Sequence, residues 1–233
     1  MQPCKTSSHC WSLTAKSHSK SIIAFLPANF ASIKISKYKG QRIKFMVTIH
    51  SYKPEWPKIF QEIATTLRRA LGRSALRIDH IGSTAVPGLA AKNRIDIQVT
   101  VAELNDELSS NMFILGLTRY KDLIHDHVPP GANNADREWE KWLFVQRGGR
   151  CDANIHVRIL GRLNQRYPLL FRDYLRCHPS TADAYAELKI RLAANLADQD
   201  TYPDVKDPAV DLIYLAAEEW ASATGWVMGE TDV

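Results

Sequence analysis

The run Gly82-Ser83-Thr84 is the first place in this sequence where side chains of the right type could do chemistry. It follows an alternating apolar segment, residues 76–81, that is typical of a strand. Such a run, followed by a short helix, can direct backbone N–H groups and hydroxyls at a phosphate. Thirteen residues after Ser83, Asp96 offers a carboxylate suited to the Mg²⁺ that accompanies nucleoside triphosphates. On spacing alone, however, Gly-Ser-Thr is also an ordinary turn or helix cap.

Three further polar side chains could complete such a site. His156 could be a metal ligand, a general base or a hydrogen-bonded sheet histidine. Arg158 and Lys92 could each neutralise phosphate oxygens, arginine through its planar fork and lysine as a point charge. Either of these two could instead be a solvated surface charge.

Two other polar groups have both a functional and a structural interpretation. His125 and His127 flank Asp126 at a spacing that could bind a metal, but the turn chemistry of the segment favours solvated side chains. Four basic residues near the C-terminus could form a basic rim around a polar sheet face, although their helical spacing favours surface salt bridges. They are Arg172, Arg176, Lys189 and Lys206.

The elements that must position these side chains follow from hydrophobic periodicity. Residues 95–101 and 153–159 alternate strictly between apolar and polar, so each is predicted to be a strand with one core face and one polar face. If the two strands share a sheet, Asp96, His156 and Arg158 lie on one polar surface. The sequence therefore predicts one surface that collects the candidate residues.

Helices are predicted on both sides of these strands. Apolar residues at spacings of three and four, from Phe60 to Leu71, predict an amphipathic helix that ends at Gly72. The chain from residue 165 onward is predicted to be helical, and Asp207-Pro208 is typical of a cap followed by a proline in the first turn. The fold class is α/β (α+β), with a mixed sheet flanked by helices and a helical C-terminal third.

The run His80-Ile-Gly-Ser-Thr-Ala-Val-Pro-Gly-Leu-Ala-Ala-Lys92, followed by Ile95-Asp96-Ile97, resembles the GrpB family of the nucleotidyltransferase superfamily. The resemblance extends from about Met46 to Trp226, and it is to the stand-alone form of a domain that some bacteria fuse behind dephospho-CoA kinase. The other similar stretches are Tyr52-x-Pro-x-Trp56, Asn154-Ile-His156-Val-Arg158, Phe171-Arg-Asp-Tyr-Leu-Arg176 and Tyr202-x-Asp-x-Lys206.

No Walker P-loop, Gly-x-Gly-x-x-Gly or Gly-x-Ser-x-Gly motif occurs, which removes support for a P-loop kinase, a dinucleotide oxidoreductase or an α/β-hydrolase.

The resemblance implies a nucleotidyltransferase-like core with a triphosphate at the Gly-Ser segment. It implies that Gly82 and Ser83 lie at the triphosphate. Together with the residue chemistry above, the predicted phosphate-binding set is His80, Gly82, Ser83, Thr84, Lys92 and Arg158. The resemblance also implies that Asp96 ligates Mg²⁺ and that His156, where the superfamily often has a third carboxylate, assists the metal or the acceptor. The superfamily's second carboxylate falls at position 98, which here is the neutral Gln98, a poor Mg²⁺ ligand.

Two hypotheses follow from this departure. The first is a Mg²⁺-dependent nucleotidyltransferase that binds a nucleoside triphosphate and an unknown acceptor. The second is a non-catalytic nucleotide-binding or folding-accessory module that lost its second carboxylate at Gln98. Two-metal chemistry needs several carboxylates to hold ions within ~4 Å of each other, so the superfamily's full mechanism is not expected.

The basic charge of the chain is concentrated in a leader, residues 1–45. The whole chain has 30 basic and 25 acidic residues, a net charge of +5. Eight of the basic residues and none of the acidic ones lie in the leader, so the body, residues 46–233, has 22 basic and 25 acidic residues. The net charge of the body is therefore −3, and a nucleic-acid partner would have to bind through the leader.

Three interpretations of the leader are open. It could be a translated stretch upstream of a true start at Met46, a targeting segment, or a disordered basic arm. Its longest apolar run, residues 22–26, is too short for a secretory signal or a membrane span, so we expect no membrane insertion.

The two cysteines of the body, Cys151 and Cys177, form no Cys-x-x-Cys pair and fit a reducing compartment, which predicts a cytoplasmic protein.

Overall fold

A five-stranded mixed sheet forms the centre of the fold. The computed structural model describes residues 46–233, so the prediction of a leader over residues 1–45 lies outside the described residues. The strands are β1 (Arg77–Ile81), β2 (Arg94–Val101), β3 (Thr118–Tyr120), β4 (Trp142–Gln146) and β5 (Asp152–Ile159). Their spatial order is β1-β2-β5-β4-β3; β2 and β5 are parallel, and the other neighbouring pairs are antiparallel.

The pairing of β2 with β5 brings the candidate side chains together. Asp96 lies opposite Asn154, and Gln98 lies opposite His156. Because successive side chains alternate between the two faces of a strand, these residues share one face. The other face of the same strands is apolar and buried, except for the partly buried Ile159. The predicted polar surface is therefore confirmed, with Arg158 two residues beyond His156 on β5.

The apolar face of the sheet is covered by two helices, α1 (Trp56–Leu71) and α2 (Asp106–Ile114). Helix α1 has Pro57 in its first turn, where a missing N–H is tolerated, and ends at Gly72, whose φ of +52° favours glycine. Helix α2 begins where the Asn105 side chain accepts a hydrogen bond from the Leu108 amide, at 3.0 Å. The main core lies between these helices and the sheet; its largest members include Trp56, Phe60, Ile95, Ile97, Met112 and Ile155.

The polar face is covered by the C-terminal helices α4 (Leu163–Cys177), α5 (Pro179–Asn195) and α6 (Tyr202–Thr224), while a short helix, α3 (Asp136–Trp139), precedes β4. These three long helices share a second apolar cluster, which includes Leu170, Phe171, Tyr174, Leu175, Tyr185, Tyr214 and Ala217. The mixed α/β fold with a helical C-terminal third is thus confirmed. The helices stand over the polar residues of β2 and β5, so the space between them is the place for a site.

The predicted start of the last helix at Asp207-Pro208 is wrong. Helix α6 begins at Tyr202 with Pro203 in its first turn, and Pro208 lies inside the helix. Pro203 satisfies the same N-terminal preference, and Tyr202, only 2% exposed, anchors the first turn in the interior. Pro208 removes one backbone hydrogen bond, and packing of the helix against the second cluster outweighs that loss.

The free edge of β1 is covered by residues near the C-terminus. The Thr231 hydroxyl accepts a hydrogen bond from the Ile78 amide and donates one to its carbonyl, both at 3.0 Å. The Asp232 carboxylate accepts from the His80 amide at 2.8 Å. These bonds take the place of the backbone partners that a further strand would provide, and they fix the end of β1, from which the chain turns into Gly82.

None of the helices between residues 46 and 233 combines the length and apolar character that a membrane crossing requires.

Candidate functional site

A cavity of about 590 Å³ lies between the polar face of the sheet and helices α4 to α6. That volume is within the usual range for small-molecule sites. Most of the residues predicted from the sequence line it, namely Gly82, Ser83, Thr84, Lys92, Asp96, His156 and Arg158. His80 is not among the lining residues.

Asp96 presents one carboxylate oxygen to the cavity. Its Oδ1 accepts a hydrogen bond from Asn154 Nδ2 at 2.9 Å and lies 3.8 Å from His156 Nε2. No residue within 46–233 donates a hydrogen bond to Oδ2, which points toward Gly82. Burial alone would raise the pKa of Asp96, but His156 and Asn154 outweigh it and hold that pKa below its ordinary value. The group is therefore an ionised carboxylate with one open oxygen.

Gly82 is required at its position for two reasons. Its backbone angles, φ +70° and ψ −171°, lie in a region that is essentially restricted to glycine. A Cβ on this residue would also lie 2.6 Å from Asp96 Oδ2. The absent side chain keeps the open carboxylate oxygen accessible, which is the close approach that the sequence pattern predicted.

Gly82→Ala is expected to destabilise the protein and to displace the Asp96 side chain. Backbone strain of this kind costs about 1–3 kcal/mol, and the contact with Asp96 adds to it. Urea unfolding measures the loss. The matched control is Gly88→Ala, which also has positive φ (+81°) but where a Cβ would meet nothing within 4 Å. Equal losses for the two variants would contradict the close approach of Gly82 to Asp96.

The segment after Gly82 is held by side chains behind it. His80 stacks on Phe60 with ring centroids 4.6 Å apart and shares a hydrogen bond of 3.0 Å with the Thr84 hydroxyl. Burial lowers the pKa of His80 to about 3, so its ring is neutral near pH 7. His80 and Thr84 are both buried and bonded to each other, which places them as supports of the turn. The Ser83 hydroxyl, in contrast, faces the cavity.

Two further lysines, Lys92 and Lys189, line the cavity. Lys92 Nζ lies 4.1 Å from the centre of the Tyr202 ring, a cation–π contact. Lys189, on α5, donates a hydrogen bond of 2.9 Å to Ser83 Oγ. The prediction of a surface salt bridge for Lys189 is wrong, because the face of α5 that carries Lys189 and Tyr185 is turned toward the cavity and both side chains are buried.

Asp126, which also lines the cavity, binds two buried cations. Its carboxylate accepts two hydrogen bonds from Arg158, at 2.7 and 2.9 Å, and one from Lys141, at 2.6 Å. The prediction that Asp126 is a solvated loop residue is therefore wrong. Its cationic partners lie 32 and 15 residues away along the chain, so no local pattern in the sequence marks the group.

Gln98 is fully buried and both ends of its amide are used. Its Oε1 accepts a hydrogen bond from Arg158 Nη1 at 2.8 Å, and its Nε2 donates to the Gln165 carbonyl at 2.9 Å. Gln98 thus links β2 to β5 and α4. Gln98 is not among the residues that line the cavity, and its side-chain oxygen is already bonded to Arg158.

These contacts decide which metal arrangement fits. The described residues contain no cluster of three or more His, Cys, Asp or Glu side chains that could hold an ion. Asp126 is committed to Arg158 and Lys141, and Gln98 is committed to Arg158, so a two-metal site does not fit. The open Asp96 oxygen beside Gly82 does fit a single Mg²⁺, provided that a ligand supplies most of the remaining oxygens.

Comparison with known proteins identifies the family. The chain matches the model of the GrpB protein family over residues 46–215. It is 36% identical over 189 residues to a protein named dephospho-CoA kinase from Mycolicibacterium paratuberculosis, covering 74% of this chain and 46% of that one. It is 35% identical over 169 residues to UPF0157 protein BH1888 from Halalkalibacterium halodurans, covering 72% and 80% of the two chains.

A solved structure agrees with this result. The crystal structure of conserved protein GrpB from Enterococcus faecalis superposes with a TM-score of 0.58 at 27% identity, over 74% of this chain and 99% of that one. The chain spans about half the length of the kinase-named relatives that it matches. Because the family model covers most of the described residues, and the Halalkalibacterium relative is matched over four-fifths of its length, this chain belongs to the GrpB family.

Proposed function

We propose that the cavity binds a nucleoside triphosphate and that the protein transfers a nucleotidyl group from it to an acceptor. The observation that carries this proposal is the open oxygen of Asp96, which faces Gly82 in the same cavity as the Ser83 hydroxyl and the Lys92 ammonium. These groups offer a carboxylate for a metal ion, a backbone that a phosphate can approach, and two partners for phosphate oxygens. Together they favour a ligand with several phosphate groups.

One Mg²⁺ would be held by Asp96, with phosphate oxygens of the ligand and water as its other ligands. When bound, the ion supplies positive charge that stabilises the transferring phosphates. Lys92 adds a fixed positive charge beside them. Because the Ser83 oxygen already accepts a hydrogen bond from Lys189, its own proton remains available to a phosphate oxygen.

The rest of the cavity suits a nucleoside and a hydroxyl acceptor. Tyr167, Phe171 and Tyr185 line it, and aromatic side chains of this kind provide surfaces for a planar base. Burial lowers the pKa of His156, so its imidazole is neutral near pH 7 and able to accept a proton from an acceptor. A triphosphate ligand is also consistent with the cytoplasmic location predicted from the sequence.

A second candidate function is a binding module without catalysis. Gln98 favours it, because the residue that would carry the second carboxylate is fully buried and bonded at both ends of its amide. Such a module would bind the triphosphate and release no pyrophosphate. The two candidates therefore differ in turnover and share the same pocket.

Calorimetric titration of the full chain with each of the four nucleoside triphosphates tests the shared pocket. We expect at least one to bind with a dissociation constant of about 1 μM–1 mM, a range typical of enzymes and their substrates. We also expect binding to weaken when Mg²⁺ is replaced by EDTA, since Asp96 would then face the phosphates without an intervening cation. The corresponding nucleosides, which lack phosphates, are the control.

The outcomes separate the hypotheses. Absence of binding for all four triphosphates would overturn both functions. Equal binding with Mg²⁺ and with EDTA would contradict the role of Asp96. If Mg²⁺-dependent binding is found, a pyrophosphate-release assay over a broad panel of hydroxyl acceptors distinguishes the enzyme from the module.

A further inference from the structure

Lys189 is a buried cation without an anionic partner. It lies on α5, its side chain is only 3% exposed, and its ammonium donates hydrogen bonds to Ser83 Oγ and to the Ala90 carbonyl. Within residues 46–233 no carboxylate lies within 4 Å of it. Lysines are almost never buried this deeply unless they are paired, because burial of a charge without a partner is costly.

The other buried or half-buried cations that line the cavity contrast with Lys189. Lys141 and Arg158 share the Asp126 carboxylate. Lys206 lies 3.2 Å from Asp207, and Arg94 lies 3.6 Å from Asp152. Lys92 has no carboxylate within 4 Å in the described chain, but it contacts the face of Tyr202 and is half-buried. Among the cavity-lining lysines of residues 46–233, Lys189 and Lys92 have no carboxylate within 4 Å, and Lys189 is the more deeply buried of the two.

The charged and titratable groups around Lys189 come from every element packed against it. Tyr185 lies on the same helix, with its ring centre 4.5 Å from the ammonium. Asp96 on β2 favours the charged form, whereas Lys206 on α6 disfavours it. Burial together with Lys206 outweighs Asp96 and lowers the pKa of Lys189 to about 7. The free protein therefore holds a mixture of charged and neutral Lys189 near neutral pH.

We propose that Lys189 is a phosphate-binding residue, and that it positions the Ser83 segment around the phosphate; this inference rests on the proposed triphosphate function. An ammonium has three N–H donors, and two are used on Ser83 and Ala90. The third is left for an oxygen of a ligand in the cavity that Lys189 lines. A phosphate group would supply the anionic partner that Lys189 does not have within 4 Å among the described residues.

The protonation of Lys189 should change when the phosphate binds. An anion beside the ammonium stabilises its charged form, so binding raises its pKa. At pH 8, where part of the free protein has neutral Lys189, binding is therefore accompanied by proton uptake. An arginine at this position would remain charged throughout and would take up no proton.

Inorganic triphosphate is the probe, because it carries the phosphates without a base. The full chain and three variants, Lys189→Met, Lys189→Arg and Lys58→Met, are titrated by calorimetry at pH 8 in buffers of different ionisation enthalpy. Lys58 is exposed on α1 and does not line the cavity, so its variant is the matched control. Inorganic triphosphate gains or loses the same number of protons in both titrations. The difference in proton uptake between the wild type and Lys189→Arg therefore gives the number of protons taken up by Lys189.

We expect Lys189→Met to bind triphosphate about tenfold or more weakly and Lys58→Met to bind like the wild type. We expect the wild type to take up more protons than Lys189→Arg, by up to about 0.9 of a proton, because a group with a pKa of about 7 is only about one-tenth protonated at pH 8. If Lys189→Met does not fold, the proton count alone decides the inference. Equal binding by wild type and a folded Lys189→Met, or equal proton counts for wild type and Lys189→Arg, would overturn it. No triphosphate binding by the wild type would overturn the proposed function first.

Discussion

Asp96→Asn is expected to lose the Mg²⁺-dependent part of triphosphate binding and, if the protein is an enzyme, to reduce its kcat/KM by about a hundredfold or more. The substitution keeps the shape of the side chain, and an amide oxygen can still accept the hydrogen bond from Asn154. It removes the negative charge on the one carboxylate that faces Gly82 with an open oxygen. Triphosphate titrations with Mg²⁺ and with EDTA measure the effect.

Asp152→Asn is the matched control for this experiment. Asp152 also lies on the sheet, at the start of β5, and its side chain is 34% exposed, compared with 30% for Asp96. It is paired with Arg94 and Arg147 and does not line the cavity. We expect this variant to keep Mg²⁺-dependent binding. If Asp96→Asn also keeps the difference between Mg²⁺ and EDTA, the ion is bound elsewhere and the proposed role of Asp96 is wrong.

The part of the site that lies on adjacent strands could be predicted from the sequence. The alternation of residues 95–101 and 153–159 is a local signal, because a strand with one buried face repeats every two residues. The structure pairs these strands in parallel, so Asp96 and His156 lie on one surface as predicted. The Gly82 turn was also predictable, since close approach of a backbone to another group requires glycine.

The residues that the sequence did not reveal depend on tertiary contacts. Asp126 lies in a segment rich in turn residues, where solvent exposure is the normal expectation. Lys189 has the helical spacing of a surface residue, and only the packing of α5 over the sheet buries it. The start of α6 depended in the same way on the burial of Tyr202, because two prolines, Pro203 and Pro208, carry the same local signal.

Gln98 shows why a prediction made from the sequence at one position has to be interpreted in the structure. From the sequence, a neutral residue there means only the loss of a metal ligand. In the structure its amide accepts a hydrogen bond from Arg158, which is itself bound to Asp126. Arg158 was predicted to bind phosphate, but three of its five N–H groups are used on Asp126 and Gln98. Two N–H groups are left that could contact a phosphate, so phosphate binding by Arg158 stays a proposal. Its structural role, which is to hold Asp126 and Gln98, follows directly from the hydrogen bonds.

Asp126→Asn is expected to destabilise the folded protein by about 3–5 kcal/mol, because it leaves two buried cations without their counter-charge. Arg158 is 4% exposed and Lys141 is 9% exposed, so water cannot replace the lost carboxylate. The amide of asparagine would also turn an N–H group toward these donors. Urea unfolding at pH 7 measures the loss, with Asp122→Asn, at an exposed position four residues earlier, as the control.

The pH dependence of unfolding provides an independent test of the same carboxylate. Burial alone would raise the pKa of Asp126, but Arg158 and Lys141 outweigh it and hold that pKa far below its ordinary value. A carboxyl whose pKa is depressed in the folded state stabilises the protein above its unfolded pKa, about 4, and loses that contribution as the pH falls further. The free energy of unfolding of the wild type should therefore fall more steeply below pH 4 than that of Asp126→Asn, and the two curves should converge. Parallel curves over this range would show that Asp126 is not held ionised by Arg158 and Lys141.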